Sequence, residues 1–303
     1  MKKIVLNENI RPNGADTVRV KEMGNIIEIM YAQHRNFFCP IQKMDSEHYV
    51  DKRTGEVKKF EHIGSRGDDK NSVRVSLGKL RDLINANVIN PEYCLWITLT
   101  YAENMTDPKR LYDDFRKFIQ RLKYKIKPFE YIVAMEPQGR GAWHAHMIMI
   151  FDKKAPYIPN AEMQKIWGFG FVSVKSLENV DNIGAYLTAY LGDMELEEYK
   201  NAGLALKDGM SVKFLDDTET GTPKAIIKGA RLQFYPPNFN LYRCSRGIKK
   251  PEKYYTTEKE AEKKVSGATL TFERTVEISD TETDFNNRFN YRQFNTRRKQ
   301  KQE

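Results

Sequence analysis

The chain has 303 residues, 40% of them hydrophobic, with a formal net charge of +9. That length admits one large domain or two ordinary ones, and the excess of Lys and Arg suits a polyanionic partner, though a solvated basic surface reads the same way. Three scattered cysteines with no CxxC pair argue against a disulfide framework and for a reducing cytoplasm, and no apolar run approaches the ~18 residues of a membrane span. The start, MKKIVLNENIRPNG, has too short an apolar stretch for a signal peptide, and no GxxxxGK[ST] phosphate loop occurs.

In chain order, residues 1–71 read as an N-terminal extension, partly ordered: a short folded segment and then a polar, charged loop. Val73, Leu77, Leu80, Leu83 and Ile84 keep helical spacing, which predicts a helix over 72–88. Tyr93 to Tyr101 (YCLWITLTY) is β-branched and aromatic, a strand. Asp107-Pro108 starts a helix whose stripe is Leu111, Phe115, Phe118, Ile119 and Leu122. Residues 131–136 and 143–151 flank a Pro/Gly-rich break and read as a hairpin. Asn160 opens a short helix that Gly168 ends, and Phe171 to Leu177 alternates as another strand. Asp181 is placed to cap a helix carrying Ile183, Tyr186, Leu187, Tyr190 and Leu191.

This β-α-β-β-α-β-α order predicts an α+β fold, a split βαβ (ferredoxin-like) antiparallel sheet with helices on one face. Beyond Gly192 the pattern weakens. Ala225–Phe234, Phe239–Cys244 and Thr269–Ile278 read as further strands. Residues 251–303 read as a charged C-terminal extension, partly disordered. Its end interleaves six Lys/Arg from Arg288 with Phe289, Tyr291 and Phe294, which suits single-stranded nucleic acid or a disordered charged tail.

Chemistry concentrates in the hairpin. Two of the five histidines, His144 and His146, stand one residue apart. On a strand they share a face, ~7 Å apart, and can hold one divalent metal. A third ligand is needed. If the break is centred on Arg140, Glu136 lies opposite His144 with its Cβ ~5 Å away, while a one-residue slip turns the carboxylate outward. A Glu/His/His set suits Mg²⁺ or Mn²⁺ holding a phosphate. The plain alternative is two packed polar residues on a half-buried strand. Tyr186 and Tyr190, four apart on a helix, are neighbours on one face. They read as core-facing stripe members or as nucleophiles able to attack a phosphodiester.

Three segments taken together, WITLTY (Trp96–Tyr101), EPQGRGAWHAH (Glu136–His146) and AYLTAYL (Ala185–Leu191), resemble the HUH endonucleases. Within that family the likeness is to two-tyrosine rolling-circle replication initiators of Gram-positive plasmids, mobile elements and single-stranded DNA phages. The resemblance covers about residues 94–191 and, with Lys228–Pro251 as an extension, implies an endonuclease domain over 72–250. It implies metal-dependent nicking of single-stranded or melted origin DNA, a 5′-phosphotyrosine adduct and a free 3′-OH. By position it makes Glu136, His144 and His146 the metal ligands and Tyr186 and Tyr190 the nucleophiles. Many relatives carry a lysine three residues after a catalytic tyrosine; here those positions are Ala189 and Asp193. With no NTPase motif, unwinding would fall to a host helicase and replication machinery. A relaxase or transposase of the same chemistry, or a non-catalytic binder of single-stranded nucleic acid, stays open.

Overall fold

A computed structural model describes residues 2–7, 11–35, 38–61, 69–126, 128–177, 183–204, 211–216, 223–280 and 285–298. They form two compact units, one of residues 63–250 and one built from 1–62 together with 251–303. The strands of the N-terminal segment are β1 (Lys2–Asn7), β2 (Thr17–Met23), β3 (Ile26–Ala32), β4 (Ile41–Lys43), β5 (His48–Asp51) and β6 (Val57–Lys59).

The central unit follows with α1 (Lys70–Asn87), β7 (Cys94–Thr100), α2 (Pro108–Lys125), β8 (Glu130–Pro137), β9 (Trp143–Ile150), α3 (Asn160–Trp167), β10 (Val172–Ser176) and α4 (Ile183–Gly192). Local chemistry sets the helix ends. The Asp69 carboxylate accepts the Ser72 N–H at 2.9 Å, and Asp107 accepts the Lys109 N–H at 2.8 Å with Pro108 at the first helical position. Gly168 closes α3 at φ 75°, a backbone angle that suits glycine. The Asp181 cap lies outside the described residues.

The main sheet has the order β10-β7-β9-β8-β14, with β14 at Tyr242–Cys244, and every neighbouring pair is antiparallel. Its first four strands have the split βαβ order expected from the sequence. Helices occupy both faces, however, and not one. Leu111, Phe115, Phe118 and Leu122 of α2, with Met163, Ile166 and Trp167 of α3, pack on Ile97, Leu99, Val133, Met147 and Met149. Leu80 and Ile84 of α1, with Ile183 and Leu191 of α4, pack on Cys94, Ile132, Ala134 and Ile148. Alternation dictates this: β8 and β9 are apolar at both odd and even positions, so each face needs a cover. A fully buried Leu, Ile or Phe contributes about 1.5–3 kcal/mol, so neither layer is dispensable. The close fit of α1 and α4 shows at Gly184, where an added Cβ would stand 2.6 Å from Asn85 Oδ1 and 2.9 Å from the Arg81 carbonyl.

After α4 come β11 (Met194–Glu195), α5 (Leu196–Asn201), β12 (Val212–Asp216) and β13 (Pro223–Ile227), then a 3₁₀ turn over Ala230–Phe234. The strand expected over 225–234 therefore ends at Ile227. The three strands form a small sheet in the order β11-β13-β12.

The terminal segments make the second unit, with β15 (Glu252–Thr257), α6 (Glu258–Lys264), β16 (Thr269–Asp280) and β17 (Phe285–Asn295). Strands from both ends of the chain interleave as β1-β16-β17-β3-β2-β15, and β4-β5-β6 forms a separate three-stranded sheet. The tail run from Arg288 is largely strand β17, not a disordered basic arm. Arg292 is fully buried and paired with Glu258 at 2.7 Å and with Glu262, and Arg288 pairs with Glu277. Among the described residues no helix is long and apolar enough to cross a membrane.

Candidate metal centre

The hairpin β8–β9 turns through residues 138–142, where the Gln138 N–H donates to the Ala142 carbonyl at 2.7 Å and the Gly141 N–H to the Gln138 carbonyl at 2.8 Å. The turn is centred on Arg140, and the register pairs Glu136 with His144 and Ala134 with His146. β7 lies on the other side of β9, pairing Thr98 with His146 and Thr100 with His144. Glu136, His144 and His146 therefore stand on one face of the central strands, with ligand atoms all within 4.8 Å of one another. The assumption that mattered in the sequence, the register of the hairpin, holds.

Each ligand has distinct surroundings. The Glu136 carboxylate is buried, touching His146 Nε2 with one oxygen and Arg231 Nη1 at 2.9 Å with the other. Burial alone would raise its pKa; His146, and after it Arg231, hold it below the ordinary carboxylate value. Thr98 Oγ1 sits 3.2 Å from His146 Nδ1 and accepts the Trp96 indole N–H at 3.1 Å. With Nδ1 protonated, that hydroxyl fixes the ring and leaves Nε2 for a ligand, the usual outer support of a metal-binding histidine. The alternation in WITLTY puts Trp96 and Thr98 on the histidine face.

His144 is the most telling member. Its Nε2 is buried without a hydrogen-bond partner in the structure. Burial pushes its pKa down to about 4, so the ring is neutral at physiological pH and offers a lone pair. A buried unpartnered nitrogen costs about 1–3 kcal/mol. Packing does not account for that cost, whereas a metal ion among these three donors would. The residues fit a divalent cation.

Two residues that sequence reasoning did not single out complete the site. Arg231 is buried in the 3₁₀ turn, about a hundred residues from the hairpin in sequence. Besides Glu136, it binds both Glu198 oxygens, at 3.2 and 2.9 Å, and the carbonyls of Pro137 and Asp193, each at 3.0 Å. Burial opposes its charge, but Glu136 and Glu198 outweigh this and raise its pKa. Tyr235, fully buried, has its hydroxyl 2.9 Å from the Met135 carbonyl and 3.3 Å from the Leu191 carbonyl. It thereby spans the strand carrying Glu136 and the last turn of α4. The available signal was a charged residue and a tyrosine four apart in KGARLQFYPP, a run set aside as an extension.

Arg231→Met leaves one oxygen of the buried Glu136 carboxylate, and the half-buried Glu198, without their cation. We expect a loss of about 3–5 kcal/mol, seen as a fall in Tm on the order of 10 °C in a thermal melt.

Tyr186 and Tyr190 lie in α4, four residues apart, and their side chains are outside the described residues. The helix itself is placed over the histidine face: Ile183 and Leu191 join the core beside Ala134 and Ile148, and Leu191 and His146 line one small cleft. Asp193, the position three beyond Tyr190, accepts the Gly229 N–H at 3.0 Å and so anchors the turn that presents Arg231.

No curated protein and no solved structure matches the chain. Residues 94–195, about a third of the chain and running from β7 through β11, match the model of a replication-associated protein family, which supports a role as a replication initiator.

Proposed function

We propose that this protein is a rolling-circle replication initiator of the HUH endonuclease type, nicking single-stranded origin DNA through a tyrosine of α4. The observation that carries the reading is the Glu136/His144/His146 cluster with its unpartnered His144 Nε2, on the sheet face that α4 covers. The segment between β7 and β11 also carries the match to the replication-associated family.

A divalent cation bound there, Mg²⁺ or Mn²⁺, supplies a Lewis acid for a DNA phosphate oxygen. Glu136 and the two imidazoles fix its place, and Arg231 and Thr98 fix Glu136 and His146. Tyr186 or Tyr190 loses its phenol proton to solvent and attacks phosphorus. The P–O3′ bond breaks, and the departing oxygen takes up a proton to become a 3′-OH. The new tyrosine–phosphate diester replaces the broken one, so rejoining needs no ATP. A second tyrosine on the same helix can hold one strand while another is cut. Strand separation is left to a host helicase.

The test uses labelled single-stranded DNA bearing the cognate origin, incubated with protein and Mn²⁺ and run on a denaturing gel. A shifted covalent band that disappears with EDTA is expected. No adduct at any metal concentration would overturn the proposal and leave a non-catalytic DNA binder.

A further inference from the structure

We infer that the six-stranded sheet of the terminal unit carries a second surface for single-stranded DNA, outside the metal centre. The reading rests on the proposed function for the choice of polymer, and on the sheet for its place.

One register row runs straight across five strands. Arg274 of β16 pairs with Tyr291 of β17, Tyr291 with Met30 of β3, Met30 with Arg19 of β2, and Arg19 with Tyr255 of β15. Directly paired residues of antiparallel strands point to the same face, so these five side chains form one line. At ~4.8 Å per strand the row is roughly 19 Å long.

The opposite face is the core of this unit, where Val18, Val20, Ile27, Ile29 and Phe294 pack on Ala261 of α6 and on Val265 just beyond its end. The row faces away from that helix; Arg274 and Tyr255 at its ends are exposed, and Tyr291, Met30 and Arg19 between them are half-buried. Tyr255 is 52% exposed and Phe272, beside the row, 40%. Met23 and Ile26, at one end of the same face, are buried.

Rings and cations are interspersed along and beside the row. The Arg35 guanidinium lies 5.2 Å from the Tyr255 ring centroid, and that of Arg274 lies 5.5 Å from Phe272. Phe272 in turn meets Tyr291 edge-on at 5.7 Å. Arg19, Met30, Arg35 and Tyr255 line one groove with Phe285 and Phe289. The acids of this face are Glu28 and Asp280, both buried, and Glu28 is paired with Lys21 at 2.6 Å. Exposed positive charge therefore predominates among its described residues.

Exposed rings spaced by guanidinium groups match a chain of unpaired bases on a phosphate backbone, because bases stack on the rings and phosphates meet the cations. A duplex hides its base faces and cannot use the rings. The basic, aromatic tail seen in the sequence thus divides by strand alternation: Arg292 turns into the core, and Tyr291 turns to this face.

The test measures binding of a fluorescein-labelled oligothymidylate by anisotropy in EDTA. The parent is the full chain with Tyr186→Phe and Tyr190→Phe, so nicking plays no part in the signal and its failure leaves this test intact. Tyr255→Ala and Tyr291→Ala are each expected to weaken binding about tenfold, and Tyr255→Phe to retain it. Arg19→Ala and Arg274→Ala should each lower the salt slope by about 0.7. Tyr255 is exposed, so its alanine variant keeps the test sound if Tyr291→Ala fails to fold. Unchanged affinity in Tyr255→Ala, or bromouracil photocrosslinks confined to residues 63–250, would overturn the inference. So would sedimentation showing that Tyr255→Ala abolishes self-association without altering affinity, which would assign the row to a second copy of the chain.

Discussion

His144→Ala should abolish the covalent protein–DNA band while leaving the fold almost as stable as before. The two halves of that expectation come from the same atom. His144 Nε2 makes no hydrogen bond in the structure and is cut off from water, so its removal relieves an unsatisfied polar group. Lost ring packing works the other way, and the net change should stay within about 1 kcal/mol in a urea titration. Loss of one of three metal donors, in contrast, should lower the rate of adduct formation by at least about 100-fold, roughly 3 kcal/mol of barrier. His146→Ala should also lose the adduct. It costs more stability, because it removes a direct partner of buried Glu136 and the group that Thr98 supports. Both variants should keep much of their DNA affinity, since phosphate contacts dominate binding. A His144→Ala protein that still forms the adduct at the parent rate would place the ring among packing residues. Calorimetric titration with Mn²⁺ gives the independent readout: clear binding to the parent and none to either variant.

The second large effect belongs to α4. The double variant Tyr186→Phe/Tyr190→Phe should yield no adduct, since no phenol oxygen remains on the helix to accept the phosphoryl group. Phenylalanine keeps the ring and removes only the hydroxyl, so helicity and metal binding should match the parent. Each single variant tells which tyrosine cuts first: loss of the adduct in only one of them names the initiating nucleophile. If cutting and rejoining use different tyrosines, the other variant should cut normally and fail to transfer the strand to a second oligonucleotide. An adduct of parental yield in the double variant would move the nucleophile off α4 altogether.

Much of the central unit was legible because its signals are local. Asp107-Pro108 marks the start of α2, the stripe Leu111–Leu122 marks its buried face, and Gly168 ends α3. The Glu136/His144/His146 cluster was legible for the same reason. A five-residue turn centred on Arg140 fixes the register of the two strands it joins, and the period of two then brings Glu136 to the histidine side. Arg231 was not legible. It reaches Glu136 from beyond three helices and a small sheet in the chain, and nothing in KGARLQF by itself says which carboxylate it will meet. The two-sided helix cover also escaped the sequence reading, since the apolar stripes of α1 and α4 say that they pack, not on which face.

The terminal segments draw the same boundary more sharply. The residue pattern by itself determined that Thr269–Ile278 alternates as a strand and that the tail is basic and aromatic. Pairing decided the rest: β1 joins β16 across more than 250 residues, and β17 inserts between β16 and β3. Local periodicity carries no information about such partners, because closing long loops is favourable only after the whole sheet buries its face. Once formed, the sheet sorts neighbours in sequence to opposite fates, with Arg292 in a buried ion pair and Tyr291 in the row of Arg19 and Tyr255. In this protein the sequence determined most elements of the central unit, the hairpin and the Glu136/His144/His146 cluster proposed to hold a metal. The tertiary structure alone decided what holds Glu136, what covers the histidine face, and which of the tail's side chains remain outside the core.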